Sequence, residues 1–447
     1  MLQRTEMSPE SPPVSDITKP SHFRWCIVTL LLLATTINYM DRQILALLKP
    51  ILDVELGWTN QDYGKVHAAF FGFYAASYAG FGWFIDRFGV RIGYAVSIFW
   101  WSLAAISHSL AGSVRGFLCA RIALGAGEGG NFPACIKAIA VWFPKRERAF
   151  AASLFNAGAN AGPVVAPAIV PRIASHYGWR MAFVLAGVAG LLWLILWLPL
   201  YKDSPKQCPL VSAAELELIE SDKDEQDQPT GAVSWWSLFG YRQTWGFVLL
   251  KFLTDPISWF WLIWLPDFFN KTRHLDIKNS WPHLVTIYLI AAVLSIAGGW
   301  SGGILIKRGW TPTWARKTGL LVSAFCVVPV VFVEHAGNWS AVALVGLAIA
   351  AHQAWSANLY AAVSDIFPKR AVAAIAGIGG CAGAVGGMIF PYVAGRLLDF
   401  YKGTAGGESA GYAVLFWICP STYFVAFAIN HLLSPRYEQI VIESKSP

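Results

Sequence analysis

The sequence predicts an all-α polytopic membrane protein, with twelve transmembrane helices in two pseudo-symmetric six-helix halves. Three observations predict it: few charges, recurrent apolar runs of membrane-spanning length, and patterns of the first half that return in the second. Of the 447 residues, 55% are hydrophobic and 14% are charged, whereas soluble domains carry roughly 25% charged residues. The 22 tryptophans and 40 glycines suit membrane interfaces and close helix contacts. We therefore expect a body embedded in a lipid bilayer.

The apolar runs have the length that a membrane requires. A spanning helix needs about 20 largely apolar residues to cross the hydrocarbon core. The chain contains six such runs before a polar stretch and six after it. They cover residues 25–48, 63–85, 92–111, 115–142, 149–173 and 180–200, and then 243–269, 283–306, 316–334, 340–364, 372–398 and 411–433.

The polar stretch between the two groups predicts the domain organisation. It is rich in acidic residues and poor in apolar ones, so we expect a solvated linker with room for one surface helix. It contains the acidic residues Glu215, Glu217, Glu220, Asp222, Asp224, Glu225 and Asp227. The predicted units are a disordered cytoplasmic tail (1–21), an N-terminal bundle (22–201), a cytoplasmic linker (202–242), a C-terminal bundle (243–435) and a second cytoplasmic tail (436–447).

The basic residues predict the orientation of the spans. An even number of spans puts both termini on one side, and basic clusters at 87–91, 145–148, 307–317 and 369–370 fall in loops on that side. Because positive loops favour the cytoplasm, we expect both termini to be cytoplasmic. Lys271, Arg273 and Lys278 form an exception on the opposite side. The net charge of +7 then reflects membrane topology, and we expect no nucleic acid as a partner.

The two halves also share short sequence patterns. The tetrapeptide Phe-Pro-Lys-Arg at 143–146 recurs 224 positions later at 367–370. At the same offset, Gly162 and Pro167 match Gly386 and Pro391. A duplicated helical bundle is typical of carriers whose two halves rock about a central site.

This chain resembles a known family of proteins. The loop after the second span reads Gly-Trp-Phe-Ile-Asp-Arg-Phe-Gly-Val-Arg at 82–91, and it resembles the signature loop of the major facilitator superfamily, which lies between the second and third helices. Within that superfamily, the chain is similar to the anion–cation symporters. Residues 251–256 with 264–266, and 352–358, look most like the hexuronate branch. The other supporting stretches are residues 38–42, Arg121 with 125–128, and 142–144.

This resemblance implies an activity. It implies import of a sugar-acid anion, a hexuronate such as galacturonate or glucuronate, in symport with protons and by alternating access. It also implies a monomer in a bacterial inner membrane. The alternatives are transport of galactonate or glucarate, a sodium-coupled or facilitative carrier, and, as a different class, a nutrient receptor that does not move solute.

Charged side chains inside the spans are the first candidates for chemistry, because such residues are rare unless paired or hydrated. Asp41 and Arg42 lie in the first span. Arg121 and Glu128, seven residues apart, share one face of the fourth. Arginine offers a planar fork of donors to a carboxylate, and a poorly hydrated carboxyl group favours its protonated form. By resemblance to galactonate-type symporters, Arg42 binds the substrate carboxylate, Asp41 and Glu128 carry protons, and Arg121 tunes them. Static Asp41–Arg121 or Arg42–Glu128 ion pairs are the alternative.

Polar residues in other spans are candidates for further substrate contacts. Lys251 is a candidate second cation for the substrate; the alternative is that Asp255, at i+4, simply neutralises it on the helix. His352 lines the site or is a packing histidine, and Trp259 stacks on a sugar or packs elsewhere. The full set of predicted substrate-binding residues is Tyr39, Arg42, Tyr74, Arg121, Asn156, Asn160, Lys251, His352, Gln353, Trp355 and Asn358.

A gate is predicted in the loop after the second span. Asp86, Arg87 and Arg91 are expected to form a cytoplasmic latch, with Asp86 at a neighbouring helix N-terminus and paired to Arg91.

Other motifs give no sign of an enzyme, a cofactor or a metal site. Residues 125–130 fit Gly-x-Gly-x-x-Gly, but they lie in an apolar helix with no preceding strand, which indicates helix packing. Neither a nucleophile–base arrangement nor metal-type cysteine spacing occurs, so we expect no catalytic residue, cofactor or metal.

Overall fold

The computed structural model describes residues 20–221 and 235–440. Most of both predicted tails, and residues 222–234 of the predicted linker, lie outside this described part. Within it the chain is helical and contains no strand.

The first half of the chain forms six spans, one of which is broken. The helices are α1 (Phe23–Leu56), α2 (Asn60–Phe88), α3 (Val90–Ser107), α4 (Val114–Glu128) with α5 (Asn131–Trp142), α6 (Lys145–Tyr177) and α7 (Trp179–Leu200). A 3₁₀ turn, His108–Leu110, extends α3. The fourth span is the pair α4–α5, which is interrupted at Gly129 and Gly130.

The second half repeats this arrangement after a partly helical linker. The linker contains a 3₁₀ turn (Pro205–Gln207), α8 (Ala213–Glu220) and α9 (Trp235–Leu238). The spans are α10 (Arg242–Arg273), α11 (Ile277–Lys307), α12 (Pro312–Val327) with the 3₁₀ segment Val328–His335, α13 (Asn338–Ile366), α14 (Lys369–Lys402) and α15 (Gly407–Leu433).

These helices confirm the predicted fold class. In the described residues, nine helical segments are long and apolar enough to cross a membrane, and the α4–α5 pair, α6 and α11 complete the twelve spans. We call the side on which α1 begins and α15 ends the terminal side, and the other the opposite side.

Local signals explain where several helices begin and end. Gly57 follows α1 with φ 64°, a left-handed conformation that glycine adopts without strain. Thr59 then caps α2, because its side chain accepts the N–H of Asp62 at 3.0 Å. Ser113 caps α4 in the same way through the N–H of Gly116, at 3.2 Å.

Small residues allow the helices to approach closely. A Cβ on Gly158 of α6 would lie 2.6 Å from the carbonyl oxygen of Leu32 in α1, and one on Gly162 would lie 2.7 Å from the Cβ of Tyr39. In α4, a Cβ on Gly127 would lie 2.8 Å from the backbone nitrogen of Trp101. The glycine-rich run at 125–130 therefore packs helices, in agreement with the sequence analysis.

The two halves meet on the opposite side. The carboxylate of Asp399 in α14 accepts the backbone N–H groups of Asn60 and Gln61 at 3.0 and 2.7 Å. This carboxylate completes the N-terminus of α2 from the other half of the molecule. Tyr63 donates its hydroxyl to the carbonyl of Ile263 in α10 at 2.9 Å. These contacts close the opposite side.

The linker is not fully solvated, which corrects one expectation. Glu215 of α8 has no exposed surface. Its carboxylate accepts hydrogen bonds from the Ser21 hydroxyl, from the N–H groups of Phe23 and Arg24, and from the Arg24 guanidinium. Arg24 also pairs with Glu147 at the start of α6, at 2.9 Å. Glu215 is buried because it supplies acceptors for the N-terminus of α1, so α8 is docked on the N-terminal half.

Candidate functional site

A buried ion pair joins α1 to α4 in the middle of the molecule. Nε of Arg42 lies 2.6 Å from Oε2 of Glu128, and the two side chains are 4% and 0% exposed. Glu128 is the last residue of α4, so it sits where the fourth span breaks. The terminal nitrogens Nη1 and Nη2 of Arg42 are buried and have no hydrogen-bond partner among the described residues. Arg42 therefore keeps a free donor edge suited to a carboxylate.

Four aromatic rings surround the Arg42 guanidinium. Its central carbon lies 4.7 to 5.6 Å from the centroids of four rings contributed by α1, α2 and α10. They belong to Tyr39, Phe70, Tyr74 and Trp259. The rings hold the guanidinium in place through cation–π contacts and keep water away from it. The ring of Trp259 comes from the C-terminal half, so both halves contact this arginine.

Arg121 and Asp41 lie beside this pair. Arg121 is 1% exposed, and its guanidinium lies 5.7 Å from the centroid of the Phe70 ring. Asp41 is 2% exposed, and neither of its carboxylate oxygens has a hydrogen-bond partner among the described residues. Asp41 is close enough to Glu128, Arg121 and Arg42 to interact with them electrostatically. Two acids and two arginines thus form one buried group with balanced formal charge.

A histidine that sequence reasoning missed borders this group. His67 of α2 is 3% exposed, its ring centroid lies 4.6 Å from that of Tyr63, and its Nε2 has no partner in the described structure. It lies one turn before Phe70. The signal was a polar residue in an apolar span, seven residues before the predicted site residue Tyr74 and so on the same face of the helix.

Lys251 and Asp255 of α10 pair with each other. Their Nζ and Oδ2 atoms are 2.7 Å apart, and the side chains are 6% and 16% exposed. Nζ of Lys251 also lies 4.9 Å from the centroid of the Tyr360 ring in α13. Asp255 packs against α14 at Gly383, where a Cβ would contact it. The pairing at i and i+4, one of the two sequence-based alternatives, is present in this structure.

The predicted residues of α13 separate onto different surfaces. His352 and Trp355 contact Tyr423 of α15; Nδ1 of His352 lies 2.7 Å from the tyrosine hydroxyl. Asn358 donates to the Ala354 carbonyl of its own helix at 3.0 Å, and its side chain packs on Gly319 of α12. These three side chains pack within the C-terminal half.

Gln353, another predicted residue of α13, bonds across the boundary between the halves. It donates to the side chain of Asn160 in α6, at 2.9 Å. Asn156, one turn earlier in α6, is exposed.

The predicted pairing of the latch is wrong. Asp86, in the last turn of α2, pairs with Lys137 of α5 at 2.7 Å instead of with Arg91. Arg91 donates to the carbonyl of Leu198 at 2.7 and 3.1 Å. The acid at the N-terminus of α3 is Asp203, which accepts the N–H of Arg91 at 2.9 Å. The reason is chain direction: Asp86 faces α5, whereas the segment after α7 returns to α3. Arg87 is exposed.

The fold and this buried group of charges define a class of protein, a polytopic membrane transporter made of two helical halves. The sequence model of the Major Facilitator Superfamily matches residues 31–391. The chain belongs to this superfamily, and it is therefore a membrane transport protein and not an enzyme.

Relatives and solved structures agree with this assignment. The chain is 28% identical over 397 residues to the D-galactonate transporter of Escherichia coli O6:H1, covering 86% of this chain and 91% of that protein. It is 30% identical over 380 residues to the hexuronate transporter of Escherichia coli K12, covering 84% and 88%. A bacterial homologue of the human lysosomal transporter Spinster matches the fold with a TM-score of 0.74 at 17% identity, covering 93% and 97%.

Proposed function

We propose that this protein is a secondary active transporter that imports a sugar-acid monoanion, a hexuronate such as galacturonate, together with protons. The observation that carries this proposal is the free donor edge of Arg42, which is buried, held by aromatic rings and bonded to Glu128 through Nε alone. The two sequence relatives, named for D-galactonate and hexuronate transport, support the same substrate class.

Substrate binding follows from the geometry at Arg42. A carboxylate with two oxygens fits Nη1 and Nη2 as a bidentate partner. Tyr39 and Tyr74 then offer their hydroxyls to the sugar, and Trp259 offers the apolar face of its ring. Gln353 and Asn160, which bond to each other across the halves, offer further amides to sugar hydroxyls.

Proton coupling follows from the balance of charge. Asp41, Arg42, Arg121 and Glu128 sum to zero formal charge when all are ionised. An anion adds one negative charge to a buried site, and an uncompensated buried charge is costly. A proton taken up by Asp41 or Glu128 restores the balance. Asp41 is the simpler carrier, since its protonation breaks no hydrogen bond among the described residues.

The charge of the substrate follows from Lys251. Its ammonium group is already neutralised by Asp255 at 2.7 Å. Arg42 and Arg121 each keep two buried nitrogens without a partner among the described residues, but Asp41 and Glu128 balance their charges, so the site has no surplus positive charge for a second carboxylate. This arrangement favours one carboxylate, as in uronates and aldonates, over the two carboxylates of glucarate.

The orientation that we propose puts the terminal side in the cytoplasm of a bacterial inner membrane. It is supported by the basic clusters in terminal-side loops. Alternating access then brings the substrate to Arg42 from the opposite side and releases it on the terminal side.

Transport by purified protein in liposomes tests this function. We expect uptake of labelled D-galacturonate to rise with an inward proton gradient, and to be unaffected by a sodium gradient. Empty liposomes are the control. Uptake that follows sodium and ignores pH would remove proton coupling, and binding without uptake would make the protein a receptor.

A further inference from the structure

A second buried set of charges lies about two helical turns beyond Arg42, near the opposite-side ends of α1 and α10. Lys49 of α1 has no exposed surface, although it carries an ammonium group. Its Nζ donates to Asp53 at 2.7 Å, to Asn60 at 2.9 Å and to Asp267 of α10 at 2.9 Å. All three ammonium protons are therefore used. We call Lys49, Asp53, Asp267 and Lys271 the opposite-side charge cluster.

The cluster crosses the boundary between the halves. Asp267 has no exposed surface, and its other oxygen accepts the hydroxyl of Tyr412 in α15 at 2.6 Å. Lys271 lies 3.7 Å from the Asp53 carboxylate. Two cross-half pairs thus form, Lys49 with Asp267 and Lys271 with Asp53. The rings of Tyr63 and Trp264 lie 5.3 and 5.6 Å from Nζ of Lys49, so water has little access.

The same four charges can pair within their own helices. Lys49 and Asp53 are four residues apart on α1, and Asp267 and Lys271 are four residues apart on α10. Both positions recur at an offset of 218, while α10 begins 219 positions after α1. Each helix therefore carries a lysine and an aspartate four residues apart at the same depth, with the order of the two charges reversed between the helices. Residues at i and i+4 face each other on a helix.

We propose that these four residues gate the opposite side by exchanging partners. With this side closed, Lys49 bonds to Asp267 and Lys271 to Asp53 across the halves. When the halves separate, Lys49 stays with Asp53 on α1, and Lys271 turns to Asp267 on α10. Every charge has a partner in both states. Each half carries one lysine and one aspartate of the cluster, so neither half has a net charge from it when the halves separate.

The exchange explains why charges stand in this interface at all. A single buried lysine–aspartate pair would close the side, but opening would give up its whole attraction, with water as the only replacement for either partner. Lys49 with Asp267 alone would thus make a lock that opens with difficulty. The added partners at i+4 lower the cost of the open state and leave the closed contacts intact. This inference rests on transport by the superfamily fold and does not depend on the identity of the anion.

Two charge-swapped variants separate this exchange from a static lock. The double variant K49D/D267K keeps opposite charges across the halves, and Asn60 can donate its amide to the new carboxylate. It leaves two acids on α1 and two lysines on α10, so the open state becomes unfavourable. The quadruple variant K49D/D53K/D267K/K271D restores both sets of pairs. The matched control is K65A, which removes an exposed lysine paired at i−3 within α2.

The measurements are transport and an interspin distance. Transport is read as D-galacturonate counterflow. The distance is read between spin labels at Val54 and Phe400, which are 87% and 71% exposed on the opposite side of the two halves, in protein without its seven native cysteines. The distance is measured without substrate. If the protein transports an anion other than the proposed one, the distance result is therefore unaffected, and the two failures can be told apart.

We expect the native protein and K65A to show a short and a long distance. The double variant should show the short distance alone, with transport lowered about fivefold or more, and the quadruple variant should recover both distances and at least half of the transport. A double variant that opens and transports like the native protein would overturn the exchange. So would a quadruple variant with no recovery beyond the double variant.

Discussion

Two buried groups of charge, one at Arg42 and one at Lys49, differ in how completely their hydrogen bonds are satisfied. Lys49 uses all three of its protons on protein oxygens. Arg42 uses Nε on Glu128 and leaves both terminal nitrogens without a partner in the described structure. A buried donor without a partner is unfavourable, unless something else binds it during function. This difference supports both proposals: a lysine with every proton bonded suits a contact that holds the two halves together, and an arginine with two unpartnered nitrogens suits the binding of a ligand.

The largest effect is expected at Arg42. Arg42→Lys keeps the charge but removes the planar fork, so D-galacturonate transport should fall about 100-fold or more. The matched control is Arg180→Lys, at an arginine 53% exposed that pairs with Glu55, and it should transport normally. Transport above about a tenth of the native rate in Arg42→Lys would show that the fork is dispensable.

The next effect concerns coupling at Asp41. Asp41→Asn keeps the shape of a side chain that has no hydrogen-bond partner in the described residues, so the site should still bind the anion. Accumulation driven by a proton gradient should fall about tenfold or more, whereas counterflow should remain within about twofold of native. Equal loss of both activities would mean that Asp41 holds the site together and does not carry the proton.

A smaller effect concerns the charge of the substrate. Asp255→Asn frees Lys251 from its partner at 2.7 Å, so a dianion such as glucarate should compete with D-galacturonate about tenfold better than in native protein. The control is Asp62→Asn, which breaks the exposed pair with Lys65 at i+3. Unchanged competition by glucarate would place Lys251 outside the substrate site.

The smallest effect is on stability, at the docked linker helix. Burial alone raises the pKa of the Glu215 carboxyl, but hydrogen bonds from Ser21, Phe23 and Arg24 outweigh it, so this pKa is lowered from its ordinary value. The folded state therefore gains stability that is fully present above the ordinary pKa and is lost as the pH falls through the lowered one. Glu215→Gln should reduce stability near neutral pH by about 1–2 kcal/mol.

Thermal unfolding in detergent measures this effect. The difference between Glu215→Gln and native protein should hold from neutral pH down to the ordinary carboxyl pKa of 4.5, and should shrink as the pH falls further, towards about 3. The control is Glu217→Gln, at an exposed residue on the same helix, which should match native protein throughout. A difference that does not change with pH would mean that packing, and not charge, holds α8.

The fold was predictable because its signals are local and repeated. Twelve apolar runs and the tetrapeptide shared by 143–146 and 367–370 predict two equivalent halves. The seven-residue spacing of Arg121 and Glu128 places both on one helix face, because helical geometry alone determines it. The structure brings both beside Arg42 and Asp41.

What the sequence did not predict depends on contacts between distant helices. Lys49 and Asp267 are 218 positions apart, and the charge pattern of each helix is already explained by its own i and i+4 pair. Similarly, the partner of Asp86 is Lys137 because α2 packs beside α5, which the loop sequence does not reveal. Phe70 looked like any apolar residue of a span until the two arginines were found on its ring.

The glycine seam between α1 and α6 has a mechanical consequence. With no side chain at Gly158 or Gly162, the backbones of the two helices touch, and neither can slide or tilt without carrying the other. α1 bears Arg42 near its middle and Lys49 near one end, while α6 bears Asn160. The seam therefore couples α1 to α6, so that under both proposals substrate binding, contact with the other half and opening of the opposite side belong to one movement of the pair.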